Sequence, residues 1–392
     1  MQHLDYIVAG AGCSGRSLAV RLLPHLREAN KRLLLVDKLP KKGNDKTWCF
    51  WEGNPDIFEQ VVHKKWDCLS FASSLTNQEL DIHPYQYKMI RSEDFYAYTD
   101  EKLAQSSNVS ILHGNVENLY AEKEKAYVVI DGETFSADYV FSSIPQIQPQ
   151  RPERYQYMLQ HFLGWVIETE DAAFDDRCAT LMDFRTSQHE GTSFVYVLPL
   201  TPGRALVEYT VFSKLELKKE EYAAALKQYI SERLHCGNYV IKEREYGVIP
   251  MSDHPVKRQQ GGRIVHLGTA GGFTKGSTGY TFQFIQKHTA AIAAQLQKSG
   301  IPYTAPIFPK RFRTYDATLL HLLDSGRLSG EEIFSAMFQK NHATQILKFL
   351  DNQTSLMEEI RIFWTLQKKE FALALLNRTL KIIKSGTSAQ QE

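Results

Sequence analysis

Apolar positions along this chain follow two different patterns, and the change from one to the other divides it. Leu4-Asp5-Tyr6-Ile7-Val8-Ala9 and Leu33-Leu34-Leu35-Val36 are short, nearly continuous apolar runs. Runs of that length bounded by glycine and charge predict buried parallel strands. A helical pattern joins them, introduced by Gly10-Ala11-Gly12-Cys13-Ser14-Gly15, and the second run ends on Asp37. Strand, G-x-G-x-x-G, helix, strand and terminal acid make a dinucleotide-binding βαβ unit. Gly10 permits the tight turn, and Gly12 lets the backbone approach a pyrophosphate. Gly15 lets the helix pack close to the strand. Ser14 stands at the helix N-terminus, whose unpaired N–H groups face phosphate. Asp37 is placed to accept hydrogen bonds from a ribose.

Further along, Lys41–Glu52 reads as irregular. A strand, a helix with Ser92 as its N-cap and the strand Val109–His113 occupy residues 85–120. Val116 follows a Gly-Asn pair and is assigned to the cofactor site, and Asp131-Gly132 is the turn of a hairpin. Tyr139–Ser142 is another apolar strand. Between residues 150 and 250 a period of two takes over, as in Ser193–Leu198 and Arg204–Val211, and predicts an antiparallel sheet. Lys214–Leu234 is an amphipathic helix. Helical periodicity returns at Tyr280–Lys298 and fills the tail at Tyr315–Leu322, Gly330–Phe338, His342–Leu350 and Leu356–Leu380. The end, Ser385–Glu392, is polar.

A second glycine-rich stretch precedes the Tyr280 helix and contributes Gly268, Gly271, Gly272, Thr278 and Gly279. A cofactor clamped from both ends of a chain is typical of flavoproteins, where the second loop lies under the flavin ring. The predicted class is therefore α/β, with a Rossmann-type FAD-binding domain, an inserted antiparallel β-sheet substrate domain and a helical C-terminal region. Residues 1–70, 91–150 and 246–300 are assigned to the first, 71–90 and 151–245 to the second, and 301–392 to the third.

At 392 residues, 43% hydrophobic and 23% charged, the composition is that of a soluble globular protein. A formal charge of +1 creates no field to attract nucleic acid. Five scattered cysteines lack C-x-x-C spacing. That predicts a reducing compartment, no disulfide framework and no metal site. The first strand begins so soon after Met1 that no signal peptide is expected. No apolar run reaches the roughly eighteen residues that span a bilayer. A cytoplasmic protein is expected, free to lie on a membrane surface.

Several segments in order resemble the bacterial lycopene beta-cyclases. Asp45-Lys46-Thr47-Trp48-Cys49-Phe50-Trp51 is similar to that family's D-x-T-W-C-F motif, and Gln160–Trp165 to its Q-x-F-G-W segment. Leu181–Phe184 with Phe194–Leu200 resembles its M-D-F and F-x-Y-x-L-P-L block. Val207-Glu208-Tyr209-Thr210 resembles its E-[DE]-T motif, Gly247–Met251 its I-P-M element, and Ser277–Tyr280 its [ST]-T-G-Y element. Three departures stand out. Tyr209 replaces a second acid, Thr274-Lys275-Gly276 replaces a His-Pro, and Phe141–Pro145 lacks an Asp and an Arg.

The resemblance implies closure of the ψ-ends of lycopene into β-ionone rings by protonation, cyclisation and proton loss, without net redox change. It implies FAD, active when reduced, with NAD(P)H as the reductant, and a lycopene substrate drawn from a membrane. Such chemistry needs an acid kept protonated by burial. Glu208 is the candidate general acid, and Asp45 and Asp183 are weaker candidates for a second. Trp48, Phe50, Trp51, Phe162, Trp165, Phe194 and Tyr196 either line the polyene tunnel or pack the core. His161 is expected to be a hydrogen-bonded core histidine. Tail segments around Ile346–Leu350 and Ile360–Trp364 either lie in a membrane interface or pack on the body. A redox flavoenzyme acting on an isoprenoid is the alternative.

Overall fold

The computed structural model describes residues 2–145, 155–302, 306 and 308–377. The chain opens with β1 (His3–Ala9), α1 (Cys13–Glu28) and β2 (Leu33–Asp37), as its apolar runs predict. β3 (Thr47–Glu52), β4 (Lys64–Trp66), β5 (Cys68–Ala72), β6 (Asn77–Asp81) and β7 (Gln86–Arg91) follow, then α2 (Ser92–Ala104) and β8 (Val109–His113). Next come β9 (Val116–Glu122), β10 (Lys125–Ile130), β11 (Glu133–Ser142), β12 (Tyr157–Thr169), β13 (Cys178–Asp183), β14 (Thr192–Thr201) and β15 (Arg204–Ser213). After them stand α3 (Lys219–Glu232), β16 (Tyr239–Ser252), β17 (Gln259–Gln260), β18 (Ile264–His266) and α4 (Phe282–Ser299). The tail holds α5 (Lys310–Asp324), α6 (Gly330–Lys340), α7 (Ala343–Leu350) and α8 (Leu356–Trp364). Residues 368–377 are helical beyond it.

One sheet has the order β17-β18-β11-β1-β2-β8, with β10 and β9 attached beside β11. Strands β18, β11, β1, β2 and β8 are parallel. Their carboxyl ends therefore share one edge, and this places the site. The Gly10–Gly15 loop after β1, Ser143 after β11 and the Leu267–Gly272 turn after β18 leave neighbouring strands side by side. Glycines more than 250 positions apart in the sequence meet there because the topology makes their strands adjacent. Gly10 has φ +99, a left-handed conformation that glycine alone adopts without strain. A Cβ at Gly15 would sit 1.9 Å from the Gly10 carbonyl oxygen, so the helix reaches the loop only as glycine.

The second sheet has the order β16-β12-β15-β14-β13-β5-β6. It is antiparallel as predicted, except where β13 runs parallel to β5. One face packs against α3 through Trp165, Val207, Tyr209, Tyr222 and Leu226. The other face, with Phe194, Tyr196, Leu206 and Phe212, joins a core shared with α5, α6 and α7. A third sheet, β3-β7-β4, sits against both.

Four expectations are corrected. Lys41–Glu52 is not all irregular, since β3 pairs antiparallel with β7. Phe50 and Trp48 enter one cluster and Trp51 and Cys49 another, so both faces are covered and no alternation shows in the sequence. Ser92 is the first residue of α2 rather than its cap. Asn44 Oδ1 accepts the Ser92 N–H at 3.0 Å, and Ser92 Oγ accepts the Lys46 N–H at 3.0 Å. The predicted Leu356–Leu380 helix breaks after Trp364, where the Thr365 hydroxyl donates to the Ile362 carbonyl at 2.6 Å. Its last residues and the polar end Ser385–Glu392 lie outside the described residues. Finally, the cysteines are not all free. Cys68 and Cys178 face each other on the parallel pair β5 and β13 with Cα atoms 4.6 Å apart, and form a disulfide. Two cysteines 110 positions apart carry no spacing signal, and only the strand pairing brings them together.

Candidate active site

A cavity of about 480 Å³ opens between the dinucleotide loop and the second sheet. Its floor is built from Gly12, Cys13, Ser14 and Ser143, with Gly268 and Thr269 beside them. Thr278, Gly279 and Tyr280 close one side, ahead of α4. The opposite wall is the sheet, and strand register decides which side chains it presents. Tyr196 on β14 pairs with Glu208 on β15, Glu208 pairs with Gly164 on β12, and Gly164 pairs with Glu245 on β16. Directly paired residues share a face. Tyr196, Glu208, Gly164 and Glu245 therefore form one row across four strands. Gly164, having no side chain, leaves its place in the row to the Leu206 and Glu208 side chains, which pack over it.

Glu208 is flanked by apolar Leu206 and Tyr196 and accepts one hydrogen bond, from the Thr210 hydroxyl at 2.9 Å. Burial pushes its carboxyl up to about 8, helped by the charge of Glu245 and opposed by Thr210. Burial and the neighbouring Glu245 charge both favour its neutral form. Burial raises Glu245 as well, while hydrogen bonds from Thr47 and the nearby Lys46 oppose it. The Thr47 N–H donates to Glu245 Oε1 at 2.9 Å. Cys49 also lines the cavity, its thiol pushed up by burial and by both carboxylates. Tyr280, raised to about 12 by burial, hydrogen-bonds Tyr196 and Tyr87.

The structure gathers part of the predicted set. Gly12, Ser14, Gly268, Thr278 and Gly279 line the cavity, and Gly10 and Gly15 shape its loop. Asp37, at the end of β2, accepts the Ala11 N–H at 2.7 Å and lies 3.4 Å from the Lys41 ammonium. Gly271 and Gly272 instead line a neighbouring cavity of about 410 Å³. Val116 on β9 pairs with Ile130 on β10 and packs in the core beside the first sheet, lining neither cavity. Of the seven aromatics, Trp48, Phe162 and Tyr196 line the wall. Phe50 stacks on Phe282 at 4.5 Å behind Trp48, and Phe194 lies behind Tyr196 at 5.3 Å. Trp51 donates to the Leu347 carbonyl at 3.1 Å, within the core. Trp165 follows Gly164 directly and so points to the opposite face, against α3.

Among the second-acid candidates, Asp45 lines the cavity and accepts from the Tyr96 hydroxyl at 3.2 Å. Asp183 is bound by Arg185 and by the Tyr229 hydroxyl at 2.6 Å, and Arg185 holds it in its charged form. His161 bonds Ser213 and Tyr222 at 2.8 and 2.6 Å, the core histidine expected. Sequence reading missed Glu245. On β16 the register sets Glu245 on the cavity face, whereas Ile241, past the irregularity near Val166, packs with α3. No alternation marks this in the sequence, because the run Lys242-Glu243-Arg244-Glu245 puts charge on both faces.

The sequence pattern of the lycopene cyclase protein family matches residues 5–378. The chain belongs to that family. It is 23% identical over 317 residues to a lycopene beta-cyclase of Pseudescherichia vulneris, covering 76% of this chain and 75% of that protein. It is 24% identical over 221 residues to a lycopene beta-cyclase of Pantoea ananas, a match spanning about half of each (53% and 52%). Among solved structures, a flavoprotein/dehydrogenase from Cytophaga hutchinsonii superposes with a TM-score of 0.63 at 14% identity, covering 98% of this chain and all (100%) of that one. A geranylgeranyl bacteriochlorophyll reductase-like protein from Thermoplasma acidophilum gives 0.61 at 12%, covering 96% and 100%. At such identities the likeness establishes the fold. Seen as a lycopene cyclase family member, the chain brings Trp48, Phe162, Tyr196, Glu208, Ile249 and Gly279 to one cavity, whereas Leu181, Met182 and Phe184 pack in the core. In Glu208-Tyr209-Thr210 the threonine steadies the acid, while Tyr209 faces α3. A second acid at position 209 would point away from the cavity.

Proposed function

We propose that this protein is a lycopene beta-cyclase. It closes the ψ-ends of lycopene to β-ionone rings, giving beta-carotene through gamma-carotene without net redox change. It would then class as an intramolecular lyase. The observation that carries this reading is Glu208, a carboxyl kept neutral on the wall of a cavity that begins at a dinucleotide loop.

The cavity residues fit FAD. A Cβ at Gly12 would meet no atom within 4 Å, which leaves room for a diphosphate. Buried Thr278 Oγ1 and Gln160 Oε1, both on the cavity wall, have no hydrogen-bond partner and await a polar ligand. Asp37, at the end of β2, would hold the ribose hydroxyls. When bound and reduced, FAD supplies negative charge that stabilises a nearby cation. NAD(P)H is the reductant we assign.

The chain's own residues do the rest. Glu208 gives its proton to the terminal double bond of a ψ-end, and a tertiary cation forms. An internal double bond attacks that cation and closes the ring. Trp48, Phe162 and Tyr196 turn aromatic surface toward the positive charge and keep water from trapping it. Loss of a ring proton restores neutrality.

Membrane access is part of the reading. Ile346, Leu347, Phe349 and Leu350 of α7 are buried in the core. Leu356, Met357, Ile360 and Trp364 of α8 are exposed, and the Lys368 ammonium lies 3.7 Å from the centre of the Trp364 ring. That apolar and basic face supports shallow contact with the cytoplasmic side of a membrane. No helix among the described residues is long and apolar enough to cross one.

Anaerobic incubation with lycopene and reduced FAD tests the function. The expected product has the mass of lycopene and absorbs at shorter wavelength. A product heavier by two hydrogens or by one oxygen would contradict cyclisation and favour the redox alternative.

A further inference from the structure

Resting on the reading above, we propose that Glu245 is the base that removes the ring proton, so that acid and base face each other across Gly164. The register puts both carboxyl groups on the same face of the sheet, one on each side of β12. Two strand spacings separate their backbones by about 10 Å. Both line the one cavity. Gly164 puts no side chain of its own between them; the Leu206 and Glu208 side chains pack over it instead, since a Cβ there would meet Leu206 Cδ1 at 3.0 Å and Glu208 Cβ at 3.5 Å. The two carboxyl groups thus flank an apolar surface, chemically matched to a hydrocarbon end.

The partners of the two acids divide the roles. Glu245 receives the Thr47 backbone N–H, a group that can only donate and that favours a charged acceptor. Glu208 bonds only the Thr210 hydroxyl, which can rotate to donate or accept. Glu208 is therefore suited to hold the proton and Glu245 to take one.

The step balances. The Glu208 proton takes the electron pair of the terminal double bond to form a C–H bond at its less substituted carbon, leaving the tertiary cation, and the alkene pair that attacks this cation forms the ring C–C bond. The C–H bond next to the final cation breaks, its electron pair becomes the ring double bond, and its proton goes to Glu245. No electron is lost. The proton then returns to Glu208 through the shared cavity.

The test is turnover of lycopene in D2O by wild type, Glu245→Gln, Glu245→Asp and Glu208→Gln. Glutamine still accepts the Thr47 N–H, so Glu245→Gln keeps the fold, checked by flavin absorbance and thermal melting. Its ring formation is expected to fall about a hundredfold or more. Recovered lycopene should carry deuterium at its ψ-ends, because protonation still occurs and reverses. Glu245→Asp should restore part of the rate, and Glu208→Gln should show neither rings nor deuterium. Wild-type rates in Glu245→Gln, or lost rates without deuterium in recovered lycopene, would overturn the base assignment while the cyclase reading stands. A wild type that forms no ring would overturn both.

Discussion

Glu208→Gln is expected to lower ring formation about a thousandfold or more while FAD remains bound, within the range by which a positioned general acid accelerates a reaction. The amide preserves shape and keeps the Thr210 contact but has no proton acidic enough to give an alkene. The pH profile carries the same information. Glu208 works as the protonated form, and its carboxyl is raised to about 8 by burial and then by Glu245. Activity of the wild type should hold just below pH 8 and decline at lower pH, as Glu245, the proposed base with a carboxyl raised by burial, takes up a proton. Above pH 8, activity should fall about tenfold per pH unit as the acid ionises. The residual activity of Glu208→Gln should lack that limb. A profile that falls instead near pH 4.5, the ordinary value for this side chain, would mean that Glu208 is solvated and not the acid.

Lys275→Met is expected to cost about 3–5 kcal/mol of stability, because it strips a buried carboxylate of its partner. Lys275 and Asp316 are 4% and 8% exposed, and their ammonium and carboxylate meet at 2.6 Å. The ammonium also donates to Asn352 Oδ1 at 2.8 Å, and the Ser277 hydroxyl donates to Asp316 at 2.6 Å. This network pins the loop before Gly279 to α5 and to the turn after α7. Methionine fills the volume of the lysine stem but leaves the buried Asp316 side chain with the Ser277 hydroxyl in place of a cation. Urea denaturation should show the loss, and Lys275→Met with Asp316→Asn should recover part of it. Equal stability in single and double variants would mean that the pair is not coupled. The loop bounds the flavin side of the cavity, so FAD affinity should weaken in the single variant as well.

The parts of this protein legible in its sequence are those where local pattern and tertiary role agree. β1, β2 and the Gly10–Gly15 loop declare themselves because parallel strands buried on both faces are continuous apolar runs. Glu208 was found through its motif, and the strand pattern of β15 agrees. Assignments failed where the deciding partner was distant. Thr47–Glu52 has aromatics on both faces and becomes a strand only through β7. Trp165 and Phe194 read as tunnel residues beside Phe162 and Tyr196, yet one lies across the sheet and the other one layer deeper. Alternation along β12 separates Phe162 from Trp165, and only the structure separates Phe194 from Tyr196, which share a face. Cys68 and Cys178 pair through a parallel register no spacing could reveal. Glu245 was hidden in a run with charge on both faces of β16, and only its register with Gly164 and Glu208 assigns it to the cavity face.

The most direct measurement of the central claim is the mass of the carotene formed by the wild-type enzyme in D2O. Each ring closed by a proton from an exchangeable acid should carry one deuterium, so beta-carotene should gain two mass units and gamma-carotene one. Rings that form without deuterium would contradict an acid on the cavity wall as the source of the initiating proton.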